Sequence, residues 1–286
     1  MQLEGRRQST NVEDRRGSST AKTVGGLGLG GIVIVGIIYM LLGRNPAEVL
    51  QYANGLGGAV SGTEYVETEE DRQLFEFATT ILAGTEDIWS QIFKQNGLTY
   101  VPPKLVIFNG SVQTGCGGAS ASSGPFYCSA DQSVYLDLSF FKDMQKQFGT
   151  SGDFAWAYVI AHEVGHHVQY LLGTLDKVHQ QMAQTSKTEA NHLSVRLELQ
   201  ADCYAGVWAY HDNKQFRSLQ DGDIKEGMDA ATAIGDDRLQ KQAYGRTVPD
   251  SFTHGTSAQR MKWLKRGLAS GNPADADTFS PAYSAL

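Results

Sequence analysis

The sequence feature that most constrains the fold is an uninterrupted run of twenty residues without a formal charge, residues 24–43. At a rise of about 1.5 Å per residue, a helix of this length spans about 30 Å, the thickness of a bilayer's hydrocarbon core. A cleaved signal peptide usually has a shorter apolar stretch, and a buried core helix usually carries a polar stripe, which this run lacks. The run therefore predicts a transmembrane helix.

Basic residues lie mainly on one side of this run. Five of them precede it, and after Arg44 the next basic residue is Arg72. The positive-inside rule then leaves the N-terminus in the cytoplasm and carries the rest of the chain across the membrane. We expect a single-pass membrane protein, anchored by this helix, whose main domain is periplasmic or extracellular. The predicted segments are a cytoplasmic basic tail (1–23), the transmembrane helix (24–43), a glycine-rich tether (44–68), the main domain (69–272) and a C-terminal tail (273–286).

Charge and cysteine content narrow the function further. The formal net charge is -7 and no basic stripe lies outside the first two dozen residues, which argues against nucleic acid as a partner. Cys116 and Cys128 bracket a Gly/Ser loop, and outside the cytoplasm such thiols tend to be oxidised to a disulfide. The alternative is two unpaired thiols in a loop. Cys203 lies in an apolar helical pattern and is predicted to be a buried free thiol.

Residue periodicity predicts the coarse layout of the main domain. Apolar residues at three- to four-residue spacing predict a helix over 69–94, broken or bent near Gly84. Short β-rich runs predict a strand at 105–108 and a hairpin formed by 125–128 and 134–138. Further helices are predicted at 139–148, 153–172, 189–212, 221–242 and 256–269. The expected fold class is α+β, mainly helical with a small antiparallel sheet, preceded by one transmembrane helix.

The pattern with chemical content is HExxH, at His162, Glu163 and His166. Residues i and i+4 lie on one face of a helix, so both imidazoles can reach one metal ion, while the glutamate reaches the attacking water. Gly165 costs helix propensity, which indicates close approach by another element. His167 lies about 100° further round the helix and is not expected to be a ligand. The other reading of the motif is a pair of buried, hydrogen-bonded histidines.

A catalytic zinc needs a third protein ligand and one open position. The extended pattern with a third histidine is excluded, because Leu172 stands where that histidine would be. Downstream, Glu198 and Asp202 lie four residues apart on a strongly apolar helix, where bare carboxylates must meet a cation or hydrogen-bond donors. We therefore predict Glu198 as the third ligand and Asp202 as acceptor of a ligand histidine's other ring N–H. A solvated acidic face is the alternative reading, and His192 is a weaker candidate ligand.

The segments HEVGHH and ELQAD together resemble the gluzincin class of metallopeptidases. With the arginine-rich start and the predicted membrane helix, the chain resembles the bacterial putative neutral zinc metallopeptidase family over nearly its whole length. The resemblance implies a zincin-like metallopeptidase domain, a Zn²⁺ cofactor and Glu198 as third ligand. Residues 253–260 are similar to a histidine–arginine element of related membrane gluzincins, although Gly255 replaces the usual proline. By this resemblance His254 is a catalytic candidate and Arg260 supports the ligands.

The predicted activity is zinc-dependent hydrolysis of peptide bonds in a peptide or protein substrate. Glu163 acts as general base, and His254 precedes a helix in a position suited to an oxyanion donor. An extended substrate could pair with the strand at 134–138. The alternative is a catalytically inactive or regulatory zinc-containing module that binds peptides.

Overall fold

The computed structural model describes residues 1–17, 65–148 and 152–286. Its helices are α1 (Glu69–Gln95), α2 (Ser139–Phe148), α3 (Asp153–Leu171), α4 (Thr174–Met182), α5 (Lys187–Phe216), α6 (Asp223–Ala233), α7 (Asp236–Tyr244) and α8 (Ser257–Ser270). Its strands are β1 (Val12–Asp14), β2 (Lys104–Phe108), β3 (Ser111–Thr114), β4 (Gly117–Ser120), β5 (Phe126–Cys128) and β6 (Ser133–Asp137).

Four strands form one mixed sheet in the order β1-β2-β6-β5, and β3 and β4 form a separate antiparallel pair. The predicted hairpin of β5 and β6 is confirmed. The expectation of an antiparallel sheet is wrong, because β2 runs parallel to both β1 and β6. Strands β2 and β6 can be parallel although they are close in sequence, because the β3–β4 pair and β5 form the crossover between them.

Helix α1 is continuous through Gly84, so the break predicted there is absent. It begins at a capping box, in which Thr68 and Asp71 each accept a hydrogen bond from the other's backbone N–H. A Cβ at Gly84 would lie 2.7 Å from Nη2 of Arg6. The glycine therefore serves close approach of the N-terminal segment and does not break the helix.

That N-terminal segment packs on the main domain. Its strand β1 pairs with β2. Both terminal nitrogens of Arg6 donate to Asp212 near the end of α5, at 2.6 and 2.9 Å, and Arg16 donates to Glu67 at 2.8 Å. A segment that shares a sheet with the domain lies on the same side of any membrane as the domain. The predicted topology, with a cytoplasmic tail and a translocated domain, is therefore wrong.

The predicted transmembrane helix itself is not supported either. Across residues 1–17, 65–148 and 152–286, no helix is long and apolar enough to span a bilayer. Residues 24–43 lie outside the described residues, as does most of the predicted tether. We correct the fold class to a mainly helical α+β domain with a small mixed sheet, and the single-pass membrane localisation is withdrawn.

The core lies around α3, whose inner face packs on α5, α1 and α6. Its largest fully buried side chains include Trp89, Trp208 and Trp263, one from each of α1, α5 and α8. The helix predicted at 221–242 is interrupted, because Gly235 is extended (φ −72°, ψ 138°) and α7 starts anew after it. The sequence pattern did not predict α4, and the segment predicted as a C-terminal tail forms short 3-10 turns that pack on α5 and α8.

Candidate metal centre

Two histidines of α3 and one glutamate of α5 converge between the two helices. His162 Nε2 lies 3.1 Å from one carboxylate oxygen of Glu198, and His166 Nε2 lies 3.5 Å from the other. The candidate ligand atoms all lie within 4.8 Å of one another. The structure thus brings together the three residues that the sequence proposes as metal ligands.

The meeting of the two helices depends on Gly165. A Cβ at this position would lie 3.0 Å from the backbone oxygen of Ala201 on α5. The predicted close approach is confirmed, and the approaching element is the helix that carries Glu198. Any larger side chain would push the third candidate ligand away from the two histidines.

Each histidine has its other ring nitrogen occupied by an acceptor. His162 Nδ1 lies 2.8 Å from Asp202 Oδ1, and His166 Nδ1 lies 2.8 Å from Gln169 Oε1. Carboxylate and amide oxygens accept hydrogen bonds here, so each Nδ1 carries a proton and each Nε2 is left facing Glu198. Two imidazole Nε2 atoms and one carboxylate, with oriented outer nitrogens, fit the donor set of a catalytic zinc.

Asp202 is fully buried and accepts four hydrogen bonds. Besides His162, the donors are the Tyr158 hydroxyl at 2.5 Å and the Arg260 guanidinium at 2.8 and 2.9 Å. Burial raises the pKa of Asp202, but Arg260 and His162 outweigh it, so the pKa is lowered and the carboxylate stays ionised. Arg260 is 2 % exposed and lies behind the ligands, beside Asp202.

Two carboxylates, those of Asp202 and Glu198, lie beside the His162 imidazole. Burial lowers the pKa of His162, yet the carboxylates of Asp202 and Glu198 raise it to about 10. Burial raises the pKa of Glu198, but His166 and His254 bring it well below its usual value. Both shifts arise because imidazoles and carboxylates packed this closely stabilise each other's charged forms.

Glu163 is 8 % exposed and projects toward strand β5. Burial raises the pKa of its carboxyl group, and the two histidines and the backbone N–H of Tyr127 lower it. The burial effect is larger, so the pKa of Glu163 is raised overall. The glutamate therefore lies beside the metal site without joining the ligand group. A carboxylate so placed is within reach of a water molecule in front of the histidines.

Strand β5 forms the sheet edge beside the site, which corrects the expectation for 134–138. Strand β6, within that range, has β2 on one side and β5 on the other, so it offers no free edge. In the described sheet, β5 has a strand partner on one side alone. The edge next to Glu163 is therefore Phe126–Cys128.

His254 lies near Glu198 and is held by the first residue of α7. One oxygen of Asp236 accepts the backbone N–H groups of Thr253, His254 and Gly255, at 2.7, 2.6 and 3.1 Å. The other oxygen lies 3.3 Å from His254 Nδ1. Burial lowers the pKa of His254, but Glu198 and Asp236 raise it overall. The imidazole is thus oriented and available as a hydrogen-bond donor.

The remaining predicted residues have structural settings of their own. His192 stacks on Tyr283 at 3.7 Å between ring centroids and is not in the ligand group. The predicted disulfide between Cys116 and Cys128 is confirmed, and it ties the β3–β4 turn to the edge strand. Cys203 is a buried free thiol, as predicted.

Sequence reasoning missed four residues that shape the site: Tyr158, Gln169, Tyr127 and Asp236. Gln169 had a usable signal, since a polar residue one helical turn after His166 stands on an otherwise apolar helix. Tyr158 likewise lies one turn before His162. Tyr127 and Asp236 reach the site from other elements, and no local pattern links them to it.

A helix bearing HExxH, with a glutamate from a second helix beside both histidines, is typical of the class of HExxH metallohydrolases whose third ligand is glutamate. The family model described as "Putative neutral zinc metallopeptidase" matches residues 1–279, and the chain belongs to this family. The chain is 49% identical over 286 residues to "Uncharacterized protein YpfJ" of Escherichia coli (strain K12), covering 98% of this chain and 99% of that protein.

A second relative, an uncharacterized protein of Mycobacterium tuberculosis, is 42% identical over 255 residues, covering 85% of each chain. No solved structure matches the chain significantly. The matched range of the family model includes the N-terminal segment, in agreement with its packing on the domain.

Proposed function

We propose that this chain is a zinc-dependent peptidase, with His162, His166 and Glu198 as metal ligands. The observation that carries the proposal is the convergence of both Nε2 atoms on one half-buried carboxylate, with both Nδ1 atoms already paired. When bound, zinc supplies Lewis acidity to the scissile carbonyl and to the attacking water.

The chain's own residues account for the other steps of peptide hydrolysis. Glu163 accepts a proton from the attacking water and later delivers it to the leaving amine, a role that its raised pKa favours. His254, oriented by Asp236, donates a hydrogen bond to the oxygen that becomes negatively charged. Asp202 keeps the proton on His162 Nδ1, and Arg260 keeps Asp202 ionised.

The substrate is an extended segment of a peptide or protein that adds a strand to the edge formed by β5. Main-chain hydrogen bonds from such an edge bind any sequence in extended form, and side-chain pockets then select among them. This mode brings the scissile bond next to Glu163, because the backbone of Tyr127 already contacts that carboxylate.

The test is Glu163→Gln in the full-length protein, compared with wild type. Metal content is measured by mass spectrometry, and hydrolysis is measured on a mixture of unrelated peptides. We expect one zinc per chain in both proteins and cleavage by wild type alone. Glu189→Gln is the matched control, since Glu189 is an exposed glutamate at the start of α5 and should leave cleavage unchanged.

Full cleavage by Glu163→Gln would refute the assignment of the general base. Zinc in both proteins with no cleavage by either would favour the non-catalytic peptide-binding module. A wild-type protein that binds no zinc would remove the basis of the proposal.

A further inference from the structure

His167, the last residue of the HEVGHH segment, is not in the ligand group, yet it is buried and hydrogen-bonded through both ring nitrogens. His167 is fully buried, about 100° round α3 from His166, so it faces away from the ligands. Its Nε2 lies 2.7 Å from the backbone oxygen of Val101, and its Nδ1 lies 2.9 Å from the Tyr127 hydroxyl. Both ring nitrogens are thus paired with groups from other elements.

The chemistry of these partners fixes the direction of each hydrogen bond. A backbone carbonyl accepts only, so Nε2 carries the proton and donates it to Val101. Nδ1 is then unprotonated and accepts the proton of the Tyr127 hydroxyl. His167 is the reverse tautomer of the ligand histidines, and it joins α3 to the edge strand and to the loop before β2.

Tyr127 is the residue where this connection meets the proposed substrate edge. Its side chain bonds to His167 and packs against the His167 ring at 5.3 Å between centroids. Its backbone N–H lies near the Glu163 carboxylate and lowers the pKa of that group. The next residue, Cys128, is bridged to Cys116. The short strand is therefore fastened from the helix side by a hydrogen bond and from the β3–β4 side by a disulfide.

We infer that His167 is a positioning residue for substrate binding. Through the Tyr127 hydroxyl it holds edge strand β5 beside Glu163, in position to pair with an extended peptide. This inference rests on the proposed peptidase function. It goes beyond it by assigning the non-ligand histidine a role in affinity. A strand that is held in place only part of the time binds with an affinity reduced by that fraction.

The test uses three variants and one control in the full-length protein. Tyr127→Phe removes only the hydroxyl. His167→Phe keeps an aromatic ring but removes both hydrogen bonds. His167→Gln keeps one donor and one acceptor and should rescue. Tyr170→Phe is the control, because it keeps the ring that stacks on His167 and deletes a hydroxyl that accepts a hydrogen bond from Gln132 at 3.4 Å and makes none to His167 or Tyr127 in the described residues.

Hydrogen exchange read by mass spectrometry gives a readout independent of catalysis. We expect the amides of residues 124–130 to exchange about tenfold faster in Tyr127→Phe and His167→Phe, with the rest of α3 unchanged. Peptide hydrolysis should show KM raised about 5- to 10-fold with kcat within about twofold, since one neutral hydrogen bond is lost and the bound complex is still complete. Zinc content should stay at one per chain in all variants.

Unchanged exchange and unchanged KM in Tyr127→Phe would overturn the inference. So would a fall in kcat at constant KM, which would mean a role in the chemical step. If His167→Phe, which keeps the ring, behaves like wild type, ring packing and not hydrogen bonding is what matters, and the inference is overturned. If wild type binds zinc but cleaves nothing, the peptidase proposal fails, while the exchange experiment still decides whether His167 holds β5.

Discussion

Replacement of Arg6 by methionine should destabilise the whole domain, although Arg6 is far in sequence from every helix. Its guanidinium makes a two-point ion pair with Asp212 and lies 4.1 Å from the centre of the Phe216 ring. The Arg6 side chain is 10% exposed and that of Asp212 is 0% exposed. The pair is therefore shielded from water on both sides.

The magnitude follows from what the substitution leaves behind. Arg6→Met keeps a long apolar side chain over Phe216 but leaves the buried carboxylate of Asp212 without its cation. The unpaired charge lowers the free energy of unfolding by about 3–5 kcal/mol. For a domain of this size, 1 kcal/mol corresponds to about 2–4 °C in Tm, so Tm should fall by about 6–20 °C. The double variant Arg6→Met with Asp212→Leu should recover most of the lost stability, because it removes the unpaired carboxylate as well.

The assay is differential scanning calorimetry of the four proteins of this cycle at neutral pH. Arg72→Met is the matched control, since Arg72 pairs with Glu69 and Glu76 on the exposed surface of α1 and should change Tm by no more than about 2 °C. If Arg6→Met shifts Tm no more than Arg72→Met does, the N-terminal segment does not belong to the folded domain and the reasoning is refuted.

Three shorter predictions concern the site and its supports. Asp202→Asn should weaken zinc affinity about 10- to 100-fold, measured by competition with a chelator; equal affinity would contradict its role on His162. Gly165→Val should destabilise by about 1–3 kcal/mol in urea unfolding, because its side chain meets the backbone of Ala201; an unchanged midpoint would mean that α3 and α5 are further apart. Burial raises the pKa of Asp236, but His254 and backbone N–H groups lower it overall. The contribution of Asp236 to stability is therefore complete above about pH 4 and is lost as pH falls through its folded pKa. Asp236→Asn should therefore flatten the acid side of a Tm-against-pH curve, and an unaltered curve would show that this carboxylate is not the group that titrates.

The ligand group was predictable because its determinants are local. The spacing of His162 and His166 fixes a shared helix face, and an acidic residue on an apolar helix must have a cation or donors nearby, which pointed to Glu198 and Asp202. The pairing of Cys116 with Cys128 was predictable for a similar reason, since a short loop joins them. Helix periodicity gave most of the helices for the same reason.

The sheet and the N-terminal segment were not predictable by such rules. Strand β1 has three residues, and its partner lies about ninety residues further along the chain, from Val12 opposite Leu105. No periodicity marks so short a strand, and the arginines on either side of it, Arg6 and Arg16, resemble those of a solvated tail until Asp212 and Glu67 are seen beside them. The positive-inside rule then gave a topology that the packing of this segment contradicts.

The ion pair of Arg6 with Asp212 also has a consequence for how the protein is made. The two residues are separated by 206 positions, and β1 can pair only after β2 has been synthesised. A chain that leaves the ribosome N-terminus first must therefore carry Arg6 without its partner through most of translation. Closure of so long a loop is slow, so the domain completes its fold only once α5 has emerged, and an interrupted chain lacking α5 would expose an unpaired arginine.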